Sequence, residues 1–323
     1  MSHKLAAKVQ EWVMEVEDFD YNALHAQIEY NDKRLFREYL PTIGPHPDFM
    51  NRLNSWLENV SMARDQKILF RLVPDIFFIP IEGFYSLYRS ALRHVVVRWL
   101  IDELKIEFTS RKAETDIKKA IKETWFCPIT DSMQIAAFYH ANNIEGIDMR
   151  PDWRSLEEFG SPDKIRRYMG SNDLKRLVLI EDFVGSGSQI RSTLEFAIQS
   201  LGNKRILLTP LLICPEGVEM GRLLEAKSRT LTFMPVLSLP KEVLVHKIQE
   251  ANKTEILKQV AEIVQRMDRQ VKGNNRTGYY GPFGYKETGA LIVMHSNCPD
   301  NTLPIIRHSS NTWTALFPRS SRL

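Results

Sequence analysis

Apolar residues recur at helical spacing through roughly the first 120 residues. Leu5, Val9, Trp12, Val13 and Val16 share one face. Met50, Leu53, Trp56, Leu57 and Val60 share another, after a break at Pro45 and Pro47. The longest pattern runs from Glu82 to Lys105, where Phe84, Leu87, Tyr88, Ala91, Leu92, Val95, Trp99 and Leu100 form a broad stripe. Such a stripe packs on the rest of its own protein or docks a partner helix. The most apolar run, Ile68 to Ile81, is shorter than the roughly 20 residues a membrane span needs. It also carries Arg71, Pro74, Asp75 and Pro80, so it predicts buried core and no membrane association.

The pattern changes near residue 124. Trp125 to Ile129 is a short apolar run, and Met133 to Ala141 is helical. Residues 142–173 are polar and hold Pro151, Gly160, Pro162 and Gly170. Connections of that length are often functional or mobile. Leu177 to Ile180 then reads as a buried strand. A helix follows with Ile190, Leu194, Ile198 and Leu201 on one face, and Gly202 is placed to end it. Arg205–Ile213 is a second apolar strand, Gly217–Lys227 a helix, and Leu231–Leu237 a third strand. This alternation predicts a parallel α/β sheet. A helix from Lys241 to about Val271 and a last strand from Ala290 to Met294 complete the pattern.

Charge refines this picture only locally. The 323 residues carry 43 Lys/Arg against 40 Asp/Glu, a net of +3, which excludes a strongly basic nucleic-acid coat protein. The segment from Val271 onward nevertheless holds six Lys/Arg and two Asp/Glu, with Tyr279, Tyr280, Phe283, Tyr285, Trp313 and Phe317 interleaved. That composition suits a tail wrapped on the core, and it leaves nucleic acid open as a partner. Cys127, Cys214 and Cys298 are too scattered for a disulfide framework or a zinc site. A reducing, cytoplasmic location fits them. The eight histidines show no metal spacing.

The chemistry concentrates in Leu177-Val-Leu-Ile-Glu-Asp-Phe-Val-Gly-Ser-Gly-Ser-Gln-Ile190. Two acids end a buried strand, and a glycine turn leads into a helix N-terminus. Consecutive amides in such a turn form an anion-binding nest, and the helix end adds partial positive charge and N–H groups. Gly185 and Gly187 allow close backbone approach, while Ser186 and Ser188 add hydroxyl donors. Glu181 and Asp182 are placed to accept from a sugar diol or to act near magnesium. A Walker A loop would need a lysine after the glycines. A dinucleotide fingerprint would place its acid about 20 residues later. Acids first, then a phosphate nest, suits a ribose 5-phosphate.

On these residues the run resembles the phosphoribosyl pyrophosphate signature of type I phosphoribosyltransferases, with Glu181 to Ser188 matching in order. Gln189 departs from it, standing where that family usually has Thr or Ser. The run is more similar still to the phosphoribosyltransferase-like proteins of bacterial conflict and antiviral defence systems. They share the acid–acid–Phe–Val–Gly–Ser–Gly run, here Glu181 to Gly187. They also share ends like Asn301-Thr-Leu-Pro-Ile305 and Trp313-Thr-Ala-Leu-Phe-Pro-Arg319. The resemblance covers residues 121–323 and implies a helical region over 1–120 before a phosphoribosyltransferase-like domain.

The resemblance implies Glu181 and Asp182 as catalytic, and Val184, Gly185, Ser186, Gly187, Ser188 and Gln189 as the 5-phosphate loop. It implies that Thr130, Asp131 and Ser132 contact pyrophosphate, and that Lys164, Arg166 and Arg167 lie in a mobile loop closing on the site. Mg2+ would arrive with the ligand beside Asp182. A helix cap at Asp131 or Ser132, and a solvated helix face for the three basic residues, are the structural alternatives. The implied ligand is phosphoribosyl pyrophosphate or a nucleotide, and the implied partners are proteins of the same defence system.

Overall fold

The computed structural model describes residues 3–15, 19–41, 48–144, 161–247 and 254–320. Its strands are β1 (Phe77–Ile79), β2 (Thr124–Pro128), β3 (Arg176–Val184), β4 (Arg205–Ile213), β5 (Leu231–Phe233), β6 (Leu237–Ser238) and β7 (Ile292–Met294). The chain packs as two units. One joins Met1–Ile81 to Pro240–Leu323, and the other is Glu82–Leu239. The division expected near residue 120 thus falls inside the second unit, and the tail packs with the N-terminal helices.

In the first unit the apolar stripes pack as their spacing predicts. Asp20 and Asp48 start the helices Tyr21–Arg34 and Phe49–Leu57 by accepting from the Ala23 and Asn51 amides, each at 2.9 Å. Phe36 meets Phe49 at 4.6 Å and Phe317 at 5.3 Å between ring centres. The indoles of Trp56 and Trp313 both donate to the Ile305 carbonyl, at 2.6 and 3.0 Å. Phe283, Trp313 and Phe317 are buried, so the aromatic tail is core, while Tyr280 stays exposed. The expected last strand, β7, pairs in parallel with β1 and not with the main sheet. The long helix expected from Lys241 is instead a single turn at Lys241–Val243 and a helix over Glu255–Lys272. Val16, Pro45 and Pro47 lie outside the described residues.

The Tyr39 hydroxyl ties the tail down by donating to the Pro318 carbonyl at 2.9 Å. Tyr39→Phe should therefore cost about 1–2 kcal/mol, because a buried carbonyl loses its donor. Chemical unfolding checks this, and an unchanged midpoint would contradict it.

The second unit is the predicted α/β layer. Strands run in the order β2-β3-β4-β5, all parallel, and β6 also pairs with β4. The expected strand over Leu231–Leu237 is two pieces, β5 and β6, flanking the position opposite Pro210, which has no N–H to donate. Helices Pro162–Ser171, Ser188–Leu201 and Pro215–Lys227 cover one face through Ile165, Met169, Leu194, Ala197 and Leu224. On Phe126 pack Phe138 and Tyr139 of helix Ile135–Asn142, with Tyr88 edge-on to Phe138 at 6.2 Å. The Glu82–Lys105 stripe is thus largely consumed by its own unit. Phe84, Tyr88, Leu92, Val95, Val96, Trp99 and Leu100 are all buried. A π turn at Ala91–Val96 separates helices Ile81–Ser90 and Val97–Leu104.

Candidate functional site

The carboxyl ends of parallel strands are where open α/β sheets place their ligands. β3 carries Glu181 and Asp182 toward that end and continues two residues beyond the acids, to Val184. Both acids are buried, at 2% and 5% exposure. The loop after β2 supplies hydrogen bonds to both. The Thr130 amide donates to Glu181 Oε2 at 2.9 Å, and Thr130 Oγ1 pairs with Glu181 Oε1. Ser132 Oγ donates to Asp182 Oδ1 at 3.0 Å, and the Phe183 amide donates to the same oxygen at 2.7 Å. Thr130 Oγ1 and Ser132 Oγ lie 2.6 Å apart. Residues 51 and 50 positions apart in sequence are thus joined into one network.

Thr130 Oγ1 donates to Glu181, and Ser132 Oγ donates to Asp182. Burial first, and the neighbouring Asp182 charge second, push the Glu181 carboxyl well above the usual range, against the opposing Thr130 hydrogen bonds.

Gly185, Ser186 and Gly187 form the turn after β3, and Ser188 and Gln189 open the helix Ser188–Leu201. Gly187 is the N-cap with φ 76, and no side chain caps this helix. A helix N-terminus presents N–H groups and partial positive charge to the turn, the arrangement that favours an anion. Ser186 Oγ and Ser188 Oγ sit 3.1 Å apart. A Cβ on Gly187 would lie 2.7 Å from Met220 Cβ, and one on Gly217 would lie 2.8 Å from the Gly185 carbonyl oxygen. The helix Pro215–Lys227 therefore buttresses the turn through glycine contacts.

The structure brings together Thr130, Ser132, Glu181 and Asp182 in one network, with the 184–189 loop directly after the acids in the chain. Asp131 is exposed in the same loop. It does not bring in Lys164, Arg166 and Arg167. They lie on the helix Pro162–Ser171, and Arg166 donates to the Ser200 carbonyl at 2.7 Å and to Asp163 at 2.6 Å. Ser200 is at the far end of the helix that Ser188 begins, about 18 Å away at 1.5 Å per residue. Of the long connection before β3, residues 145–160 lie outside the described residues. Sequence reasoning missed Tyr88, Gly217 and Met220. Tyr88 is buried, and its hydroxyl is held above the usual range by burial and then by the Asp182 charge. Its helical stripe signalled only core.

A parallel α/β sheet, paired acids and a serine–glycine turn in this order fit a phosphoribosyltransferase-like protein. The chain belongs to the PRTase-CE family, whose model matches residues 53–319. Neither a curated protein nor a solved structure matches it. No helix among the described residues is long and apolar enough to cross a membrane. Among those residues the three cysteines are buried and form no disulfide, and no cluster of three or more His, Cys, Asp or Glu side chains could hold a metal by itself.

Proposed function

We propose that this site binds phosphoribosyl pyrophosphate, or a related nucleotide, with Mg2+. The observation that carries the reading is a buried, hydrogen-bonded acid pair immediately before a glycine-built helix N-terminus. Asp182 would accept from the ribose hydroxyls, and residues 184–189 would take the 5-phosphate. The Thr130–Ser132 loop, already tied to both acids, is placed for pyrophosphate. Magnesium commonly binds through one or two carboxylates plus substrate phosphates. A metal that arrives with the ligand would meet Asp182. The reaction such a site supports is transfer of phosphoribose to a nucleotide, nucleic-acid or protein acceptor, with pyrophosphate leaving. Asp182 would offset the positive charge that develops on the ribose.

A second reading is a ligand sensor without turnover. Gln189 in place of a hydroxyl residue, and the engagement of Glu181 by Thr130, favour it. The setting we propose, from the likeness of Glu181–Gly187 and of the 301–305 and 313–319 segments, is an antiviral defence system with protein partners.

Calorimetry with phosphoribosyl pyrophosphate and Mg2+ tests the binding. The wild type should titrate, and Asp182→Asn should lose the Mg2+-dependent binding. A wild type that binds nothing sinks the reading. Pyrophosphate release in an acceptor screen supports transfer, whereas binding without release supports the sensor.

A further inference from the structure

The opposite end of the same sheet carries a second basic feature. β2 and β3 begin side by side at Thr124 and Arg176. A groove of about 420 Å³ opens there, between the segment from Leu104 to Glu123 and the start of β3. That volume falls in the range of small-molecule sites. Five cations line it against three carboxylates. One carboxylate, Glu123, is engaged by Lys175 at 2.8 Å. Lys105, Lys112 and Lys119 are exposed and make no ion pair among the described residues.

The independent observation is Arg176. Its side chain is only 8% exposed. Its Nη1 is fully buried with no hydrogen-bond partner. The closest carboxylate oxygen, Glu123 Oε2, is 3.7 Å away, beyond hydrogen-bond reach. A buried guanidinium N–H without an acceptor is costly, and guanidinium forks match phosphate oxygens. Lys105 adds a further oddity. It ends the helix Val97–Leu104 at φ 54, a conformation that glycine adopts without strain, yet a lysine stands there at the rim of the groove. Leu104, Ile106 and Ala120 supply an apolar wall.

We infer that this groove is a second binding site, for a phosphate-bearing anion of mononucleotide size, with Arg176 as its buried anchor and Lys105, Lys112 and Lys119 at its rim. It lies some 17 Å from the acid pair, at about 3.3 Å per residue along β3. It is therefore separate from the site proposed above.

The test uses the full-length protein, with variants at the groove separating its binding from that of the first site. Inorganic pyrophosphate and ADP are titrated by calorimetry. Both should bind, with affinity falling at higher salt. Lys112→Glu with Lys119→Glu should weaken binding about tenfold or more, and Arg176→Gln should do the same. The two lysines are exposed, so their variants stay informative if Arg176→Gln fails to fold. ADP binding tighter than pyrophosphate assigns the apolar wall to the base, and equal affinities confine the site to the phosphoryl groups. No titration, or a titration indifferent to Lys112 and Lys119, overturns the inference. Binding lost in the Lys112 and Lys119 variants but kept in Asp182→Asn belongs to the groove, and binding with the opposite pattern belongs to the site proposed above, so the two readings fail separately.

Discussion

Gly187→Ala should unfold at markedly lower denaturant and lose the phosphate turn. The residue sits at φ 76 as the helix N-cap, where a β-carbon costs about 1–2 kcal/mol of left-handed strain. The same β-carbon would stand 2.7 Å from Met220 Cβ and 3.3 Å from Gly217 Cα. Neither atom is the free end of a side chain, so the contact must be relieved by moving the turn or the helix Pro215–Lys227. Overpacking of this kind adds about 1–3 kcal/mol. Together the loss should be about 2–5 kcal/mol. Urea unfolding measures it, and calorimetry with phosphoribosyl pyrophosphate reads the turn. An alanine variant as stable as the wild type would show that the turn yields cheaply and that glycine there is not a packing requirement.

That pairing of a turn with a helix 30 residues downstream illustrates what could and could not be read along the chain. The glycine turn was legible because three local signals coincide: an apolar run, two acids and alternating Gly and Ser. The strand–helix alternation from Leu177 to Phe233 was legible for the same reason, since each element carries its own period and its own terminator, such as Gly202. The partners of the acids were not, because Thr130 and Ser132 reach them only once β2 and β3 lie in register. The same holds for β7. Its three residues look like any apolar edge, and nothing local says that β1, more than 200 residues earlier, is its neighbour. The Lys164–Arg167 cluster reads as a loop only by resemblance. Locally Ile165 and Met169 are four apart and bury the helix against the sheet, which fixes the basic residues outward.

The charge state of the acid pair makes the second large effect a matter of pH. Glu181 is protonated in the fold well above the usual glutamate range, because its burial and the Asp182 charge both disfavour a second carboxylate. The unfolded chain releases that proton near the ordinary value of 4.5. Between those two points the folded state holds more protons than the unfolded state, so stability must fall as pH rises, by at most about 1.4 kcal/mol per unit. Below the ordinary value both states are protonated, and this contribution is fully present. Glu181→Gln removes the titration but keeps the shape. Its side-chain carbonyl still accepts from the Thr130 amide. The variant should therefore be flatter than the wild type between about pH 5 and 8 and more stable at the upper end. It should also retain phosphoribosyl pyrophosphate binding under the function proposed above, since the Asp182 carboxylate is unchanged. Glu181→Ala, which breaks the hydrogen-bond row, should lose both stability and ligand. Unfolding curves across that pH range decide the matter. Parallel slopes for wild type and Glu181→Gln would mean that Glu181 is ionised in the fold.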